Sequence, residues 1–434
     1  MYRVLTRFFG FVLDLFYRRQ TIGSGLPERG PLVVVANHPN GLVDPLLIAH
    51  VSDRPVRFLA KEPLFRMPII SALLRIGQAL PIYRASDGHD TASNRGTFDA
   101  VHAALAQGEV ICLFPEGISH NEPSLQPLKT GAARMILGAE SENDWSLGVR
   151  LLPVGLQYRD KMVFRSEATV VWGDPIDVDP AIRQRYATDP RGAVADLTAQ
   201  VDEAVRSVTV NLDRWEDLPL LELAGKVWTD DNDPTTRLIG LANGHRSFQG
   251  QAPARIERLR RRLENFGEHL SALGLEPQEL DGRVRFWPAL RFLLILVASL
   301  AVGIPIVVLG VMAYCVPYQA VRWLVAWKRP EADIVASIKV LASILFYGAW
   351  QALLVTAGVY FGGWQGGLVT GLVLPLAGIV TPGVSEQRQR MWRTLVLALR
   401  LPFAKRRRML LVGERERIRA DIEALAREYQ AENP

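Results

Sequence analysis

Two long stretches without a single charged side chain constrain this chain more than any average property. From Phe292 to Val316 every residue is uncharged, and a second apolar region runs from Val340 to Val380. A bilayer core of about 30 Å needs roughly twenty such residues, so the chain carries the material for a membrane region. The second stretch is divided by Gly362, Gly363, Trp364, Gln365, Gly366 and Gly367, which predicts two helices joined by a glycine-rich turn. Basic residues flank both regions: Arg285, Arg291, Arg322, Lys328, Arg329 and Lys339, then Arg388, Arg390, Arg393 and Lys405–Arg408. The positive-inside rule therefore asks every long loop to stay in the cytoplasm, which three full crossings cannot satisfy. The first stretch, with Pro305 near its middle, would have to dip in and return, although it is short for two full legs. The number of crossings stays open at this point.

A mean hydropathy of only +0.09 hides this division between a lipid part and a soluble part. With 434 residues the chain is long enough for two or three structural units. Its net charge of +5 is modest, and the cations crowd beside apolar segments, which suits an anionic membrane surface better than nucleic acid. Cys112 and Cys315 offer neither a disulfide framework nor a zinc cluster, in keeping with a reducing cytosol. At the start, residues 1–20 set Phe8, Phe9, Phe11, Val12, Leu13, Leu15 and Phe16 among four arginines. The stretch is too short for a span and lacks a cleavage site, which leaves an interfacial helix or an amphipathic helix packed on the domain.

Between Pro31 and Gly173 short apolar runs recur at Leu32–Ala36, Val56–Ala60, Ala79–Tyr83, Val110–Phe114, Leu151–Leu156 and Thr169–Trp172. They are rich in branched residues, lack strict alternation and are separated by helical stretches, which predicts the buried strands of an α/β domain over 21–180. Residues 181–290 turn rich in Arg, Glu, Leu and Ala and predict a helical extension, with a helix at Arg255–Leu273 whose cluster Arg258, Arg260, Arg261 and Arg262 reads as a solvated face. Membrane helices over 291–383 and a basic cytoplasmic helical tail over 384–434 complete the layout.

Polar residues with chemical potential fall just beyond the predicted strands, where open α/β sheets place their ligands. The block Asn37-His38-Pro39-Asn40-Gly41-Leu42-Val43-Asp44-Pro45 follows the run Leu32–Ala36. Asp44 and Pro45 read as an N-cap and first-turn pair opening a helix. The same loop can bring the Asp44 carboxylate back onto His38, fixing its tautomer while the other ring nitrogen takes a proton from an attacking hydroxyl. The block Phe114-Pro115-Glu116-Gly117-Ile118-Ser119-His120 ends another run, and there a carboxylate and backbone N–H groups can hold a polyol hydroxyl or an oxyanion. Arg84, in Pro81-Ile82-Tyr83-Arg84, and Lys129, in Leu128-Lys129-Thr130-Gly131, can together clamp a phosphate. Leu152-Pro153-Val154-Gly155 is the weakest block, indistinguishable alone from a core strand with a turn.

In this order the blocks resemble the glycerolipid acyltransferase family that makes lysophosphatidic and phosphatidic acid. The resemblance covers roughly residues 30–175, and the stretch Phe114–Gly138 is most similar to the fungal branch acylating glycerol 3-phosphate or dihydroxyacetone phosphate. It implies a mixed α/β sheet with flanking helices, His38 and Asp44 as catalytic pair, and Arg84, Glu116, Gly117, Ser119, Lys129 and Gly131 around the acceptor. Acyl-CoA or acyl carrier protein would be the donor, with no metal or redox cofactor, and the enzyme would sit in the bilayer with its catalytic domain on the cytoplasmic face. A lysophosphatidate or other lysophospholipid acyltransferase shares the same blocks, and a non-catalytic lipid-binding protein is the reading from another class. Two departures stand out. Five residues separate His38 from Asp44, one more than the commonest family pattern, and Ile118-Ser119 replaces the usual Thr-Arg, so that Lys129 and Arg84 would have to supply the missing cation.

Overall fold

The structure, a computed structural model, describes residues 1–84, 94–281, 286–384 and 405–432. The flanking cations Arg285, Arg388, Arg390 and Arg393 lie outside the described residues. The chain divides into two compact units, one formed by Met1–Asn211 with Pro330–Val340, the other by Leu212–Arg329 with Leu341–Pro434.

The first unit opens with helix α1 (Tyr2–Phe16) and strand β1 (Tyr17–Ile22). Then follow β2 (Leu32–Ala36), α2 (Val43–Val51), β3 (Val56–Lys61), α3 (Pro68–Ile76), β4 (Leu80–Ile82), α4 (Arg95–Ala106), β5 (Val110–Leu113) and α5 (Gly131–Glu142). The pair β6 (Arg150–Tyr158) and β7 (Ser166–Trp172), the short β8 (Ile176–Asp177), and α6 (Pro180–Thr188) and α7 (Pro190–Ser207) complete it. The sheet has eight strands in the order β1-β7-β6-β2-β5-β3-β4, with β8 beside β6. Strands β6, β2, β5, β3 and β4 run parallel to one another, whereas β7 and β8 each pair antiparallel with β6. All five residues of β2 are buried, as expected of a central strand covered on both faces. Helices α4, α5 and α7 cover one face through Val101, Leu105, Ile136, Leu197 and Val201, packed on Val33, Val35 and Ile111.

Two expectations change. Residues 1–20 are not one helix: it stops at Phe16, and Tyr17–Ile22 pairs in parallel with β7 as the sheet's edge. The polar, exposed centre of this strand hides its β character in the sequence, and such charged edges discourage further strand pairing. Helix α1 packs on the domain through the buried Phe9, Leu13 and Phe16, while Val4, Phe8 and Phe11 are exposed on another face. Finally, α6 and α7 bury Ile182, Leu197 and Val205 in the core of this unit, so the boundary lies after Asn211 and not at 180.

In the second unit α8 (Leu218–Val227), α9 (Pro234–Gln251), α10 (Pro253–Leu273) and, after the apolar helices, the terminal helix Lys405–Glu432 gather around Ala224, Phe266, Leu270, Ile418 and Ile422. The arginine run on α10 is more than a solvated face: Arg260 meets Asp217 at 3.2 Å, and Arg262 meets Glu414 at 2.9 Å and also Asp421. Helix α11 is continuous from Phe286 to Lys328 with Pro305 and Pro317 inside, so the chain does not turn back at Pro305. Helix α12 spans Val335–Leu368 and breaks at Gly363, whose φ of 57° and ψ of −152° are open to glycine alone, after which helical structure resumes to Val384. The glycine-rich hairpin expected there is present, and Gly358 and Gly366 let its legs approach until an added Cβ on either would strike the other's backbone. Gly303–Lys328 and Val335–Val384 are long and apolar enough to cross a membrane, and Met312, Leu345, Phe361 and Leu372 are exposed along them. The terminal helix is α13 below.

Candidate active site

The parallel register decides which loops meet. Val35 of β2 lies opposite Leu113 of β5, so the chain leaves both strands at the same edge, and the His38 and Glu116 loops emerge side by side. Strand β6 pairs Val154 with Ala36 and runs on, carrying Tyr158 beyond the end of β2 over the same edge.

His38 Nδ1 lies 2.9 Å from Asp44 Oδ2. Because the carboxylate only accepts, Nδ1 carries the proton and Nε2 presents a lone pair. The ring stacks on Phe114 with centroids 3.9 Å apart and planes 11° apart, which fixes its plane as Asp44 fixes its tautomer. Asp44 is fully buried and accepts two more hydrogen bonds, from Asn40 N at 2.7 Å and from the Tyr158 hydroxyl at 2.6 Å. It is not the helix cap expected from the sequence. Helix α2 begins at Val43 with Leu42 as N-cap and no side-chain cap bond, and Asp44 turns back into the loop. In the loop between the two residues Gly41 has a φ of +37°, a conformation that favours glycine.

Burial, with the Asp44 charge as a second cause, raises the Tyr158 phenol well above its ordinary value, so it stays a donor. Tyr17 is likewise raised by burial; its hydroxyl accepts from Asn40 Nδ2 at 3.1 Å and donates to Lys161 O at 2.6 Å. The Lys161 ammonium donates to Pro39 O at 2.5 Å and reaches His120 O at 3.5 Å, bridging the two loops. Burial lowers its pKa, while Asp44 and Asp333 act in the opposite sense.

Glu116 changes role. It was expected to hold a polyol hydroxyl, yet its side chain is wholly buried and its oxygens serve the protein. Oε1 accepts from His38 N at 3.0 Å, and Oε2 accepts from Gln126 N at 2.7 Å and from His120 Nε2. His120 Nδ1 in turn accepts from Glu122 N at 3.1 Å, so both ring nitrogens are engaged within the protein and neither is left to act as a second base. Ser119 changes too: its hydroxyl donates to Asp333, leaving only lone pairs for a ligand. Gly117, at φ +75°, is where the cations converge. Arg84 donates to its carbonyl, and the Lys129 side chain lies over it, so that an added Cβ would come within 2.8 Å of Lys129 Cε. Lys129 is exposed. Gly131 opens α5, where a Cβ would meet open space, so nothing steric there requires glycine.

Four participants escaped the sequence. Tyr158 and Lys161 stand at and just past the end of a strand read only as core, and Asp333 and Ser337 lie far downstream of them in the sequence. Ser337 Oγ accepts from Leu42 N at 3.0 Å, and with Asp333 it closes against Gly41. No local pattern announces such a contact.

Residues 19–157 match the acyltransferase family. Glycerol-3-phosphate O-acyltransferase 2 of Saccharomyces cerevisiae is 30% identical over 193 residues, covering 43% of this chain and 26% of that protein. Glycerol-3-phosphate O-acyltransferase 1 of the same yeast is 32% identical over 133 residues, covering 30% and 17%. The lyso-ornithine lipid O-acyltransferase of Rhizobium meliloti is 27% identical over 143 residues, covering 32% and 45%. Among solved structures, the 1-acyl-sn-glycerophosphate acyltransferase of Thermotoga maritima aligns with 49% of this chain and 80% of its own, at 18% identity and a TM-score of 0.34. The chain spans less than half the length of these curated relatives. The family match begins inside β1 and ends one residue short of Tyr158, enclosing His38, Asp44, Arg84, Glu116 and Lys129. The resemblance to the acyltransferase family is thus carried by residues 19–157, the part of the chain that holds these side chains.

Proposed function

We propose that the protein is a membrane-bound O-acyltransferase that moves an acyl group from a thioester donor, acyl-CoA or acyl carrier protein, to a hydroxyl of glycerol 3-phosphate. The observation that carries this reading is the buried Asp44 holding His38 by Nδ1 at 2.9 Å at the same sheet edge where Arg84 and Lys129 meet on Gly117. The acceptor hydroxyl gives its proton to His38 Nε2 while its oxygen attacks the thioester carbonyl. The tetrahedral adduct then expels the thiolate, which takes the proton from the imidazolium and leaves as the thiol. His38 thus acts as base and then acid, and Asp44 stabilises the transient positive charge. Arg84 and Lys129 hold the phosphate so that the hydroxyl faces His38. The thioester carries the activation, so the chemistry calls for no metal or redox cofactor. The apolar helices keep the domain, on the cytoplasmic face, where the acylated product partitions.

A lyso-lipid acceptor is the competing reading, favoured by the similarity to an enzyme named for lyso-ornithine lipid. An acceptor screen separates the two. Purified protein in phosphatidylglycerol-containing vesicles is given radiolabelled acyl-CoA with glycerol 3-phosphate, dihydroxyacetone phosphate or lysophosphatidate in turn. Highest kcat/KM on glycerol 3-phosphate supports the proposal. Preference for lysophosphatidate overturns the acceptor, and no transfer to any of them overturns the activity.

A further inference from the structure

The hairpin between β6 and β7 ends in Met162, Val163 and Phe164, which are 40%, 52% and 48% exposed. Turns of this kind normally carry glycine, proline, asparagine or aspartate, and three consecutive exposed apolar residues at a tip oppose the usual surface pattern. The tip is built, not loose. Met162 N donates to Asp160 Oδ1 at 3.0 Å, Val163 N to Asp160 O at 3.2 Å, Asp160 N to Ser166 Oγ at 2.9 Å and Arg165 N to Phe16 O at 2.6 Å. The fold therefore holds these side chains outward.

Where the tip stands is set by Lys339, whose Nζ donates to Met162 O at 2.7 Å. Lys339 is the last charged residue before a run from Val340 to Ser385 that has none. A lysine at such a boundary places its ammonium at the level where water gives way to hydrocarbon. Met162 is thus fastened at the height where the apolar part of α12 begins. Ile118, 50% exposed, is next to Ser119, which is bonded to Asp333 just ahead of the same helix. Phe164 makes an edge contact with Phe16 at 5.7 Å, at the end of α1.

We infer that Met162, Val163 and Phe164 lie in the lipid surface, so that the sheet edge carrying His38 faces the bilayer. The inference rests on the membrane reading of the apolar helices given above. It identifies the hairpin as a second, non-helical membrane contact. An acyl chain leaving or entering the bilayer there meets the His38 loop without crossing open water.

Spin labelling tests this in the full-length protein, reconstituted in phosphatidylcholine vesicles with phosphatidylglycerol. One sample carries the label on the native Cys315, which is exposed on α11, whereas Cys112 is buried. The other carries it on Val163→Cys in a Cys315→Ser background. Collision with oxygen, which concentrates in lipid, is compared with collision with a water-soluble nickel chelate. Greater oxygen than nickel relaxation at position 163 is the expected result. Nickel dominance at 163 with oxygen dominance at 315 overturns the hairpin contact while leaving the membrane reading in place. Nickel dominance at both overturns both. A label at 163 shielded from both reagents means that protein covers the tip, as in self-association, and that also overturns the inference.

Discussion

His38 is fixed from two directions, by the Asp44 carboxylate at 2.9 Å and by the Phe114 ring stacked at 3.9 Å, so its role can be tested with little disturbance of the fold. General-base catalysis contributes about a hundredfold to ten-thousandfold, so His38→Ala should lose turnover on that scale in steady-state assays while its thermal midpoint stays near wild type. A well-folded variant with near-normal turnover would sink the mechanism. Asp44→Asn is a poorer test, because an amide placed among three donors leaves a buried group unsatisfied at a cost of about 1–3 kcal/mol. Tyr158 offers a sharper one. Its folded-state pKa is raised above the ordinary 10.0, chiefly by burial. The stability linked to its proton is therefore fully present below about pH 10 and is lost as the pH rises through the folded value. Melting temperatures taken from pH 8 upward should fall more steeply above about pH 10 in wild type than in Tyr158→Phe. Parallel curves would mean that the Tyr158 proton contributes nothing to stability. For the phosphate clamp, Lys129→Ala and Arg84→Lys should each lower kcat/KM for glycerol 3-phosphate about tenfold or more and spare the donor's KM. Equal losses on a phosphate-free acceptor such as monoacylglycerol would move both residues from substrate recognition to the fold or the donor.

Elements explain why some of this was visible in the sequence and some was not. Strand β2 occupies the predicted Leu32–Ala36 because five consecutive apolar residues buried on both faces leave an unbroken run. Strand β1 shows no such run: its central residues are exposed at the sheet edge, and its pairing with β7 is a non-local fact. The same distinction holds at the site. His38 and Asp44 are six positions apart and share a loop, so local geometry could join them. Ser119 and Asp333 meet across 214 positions, and Leu42 and Ser337 across 295, distances over which no periodicity carries information. Those two contacts make the start of α12 a fastening for both loops. Ser337→Ala should free the Leu42 amide and Asp333→Asn should weaken the hold on Ser119. Each should lower kcat severalfold, by loss of one part-buried hydrogen bond worth about 0.5–1.5 kcal/mol, with little change in donor KM. Ser337→Thr, which keeps the hydroxyl, should recover most of the loss. Hydrogen exchange of the peptide spanning 37–45 provides the check that does not depend on turnover: unchanged protection in Ser337→Ala would show that the segment does not restrain the loop.

At the scale of the molecule, the first unit draws its closing segment from Pro330–Val340, beyond the first apolar helix in sequence. The unit that carries the site and the long apolar helices are therefore interleaved along the chain, although a soluble domain followed by an anchor is the simpler layout its composition suggests. Cutting after Asn211 separates two roles that the intact chain combines. The shortened chain keeps the sheet and helices α4, α5 and α7, whose buried side chains form the core, and should fold cooperatively. It loses the apolar helices, so most of it should leave membranes in a carbonate wash. Any that remains must be held by the exposed Val4, Phe8 and Phe11 of α1 or by the Met162–Phe164 tip. It also loses Asp333 and Ser337, so its turnover of water-soluble glycerol 3-phosphate should fall to that of the full-length Asp333→Asn, Ser337→Ala double variant. The acceptor is chosen because it reaches the site without a bilayer, which removes localisation from the comparison. Matching rates would mean that the membrane half serves the chemistry through those two side chains. A shortened chain working at the wild-type rate would make it a tether alone, and one well below the double variant would show that further residues after Asn211 hold the site together.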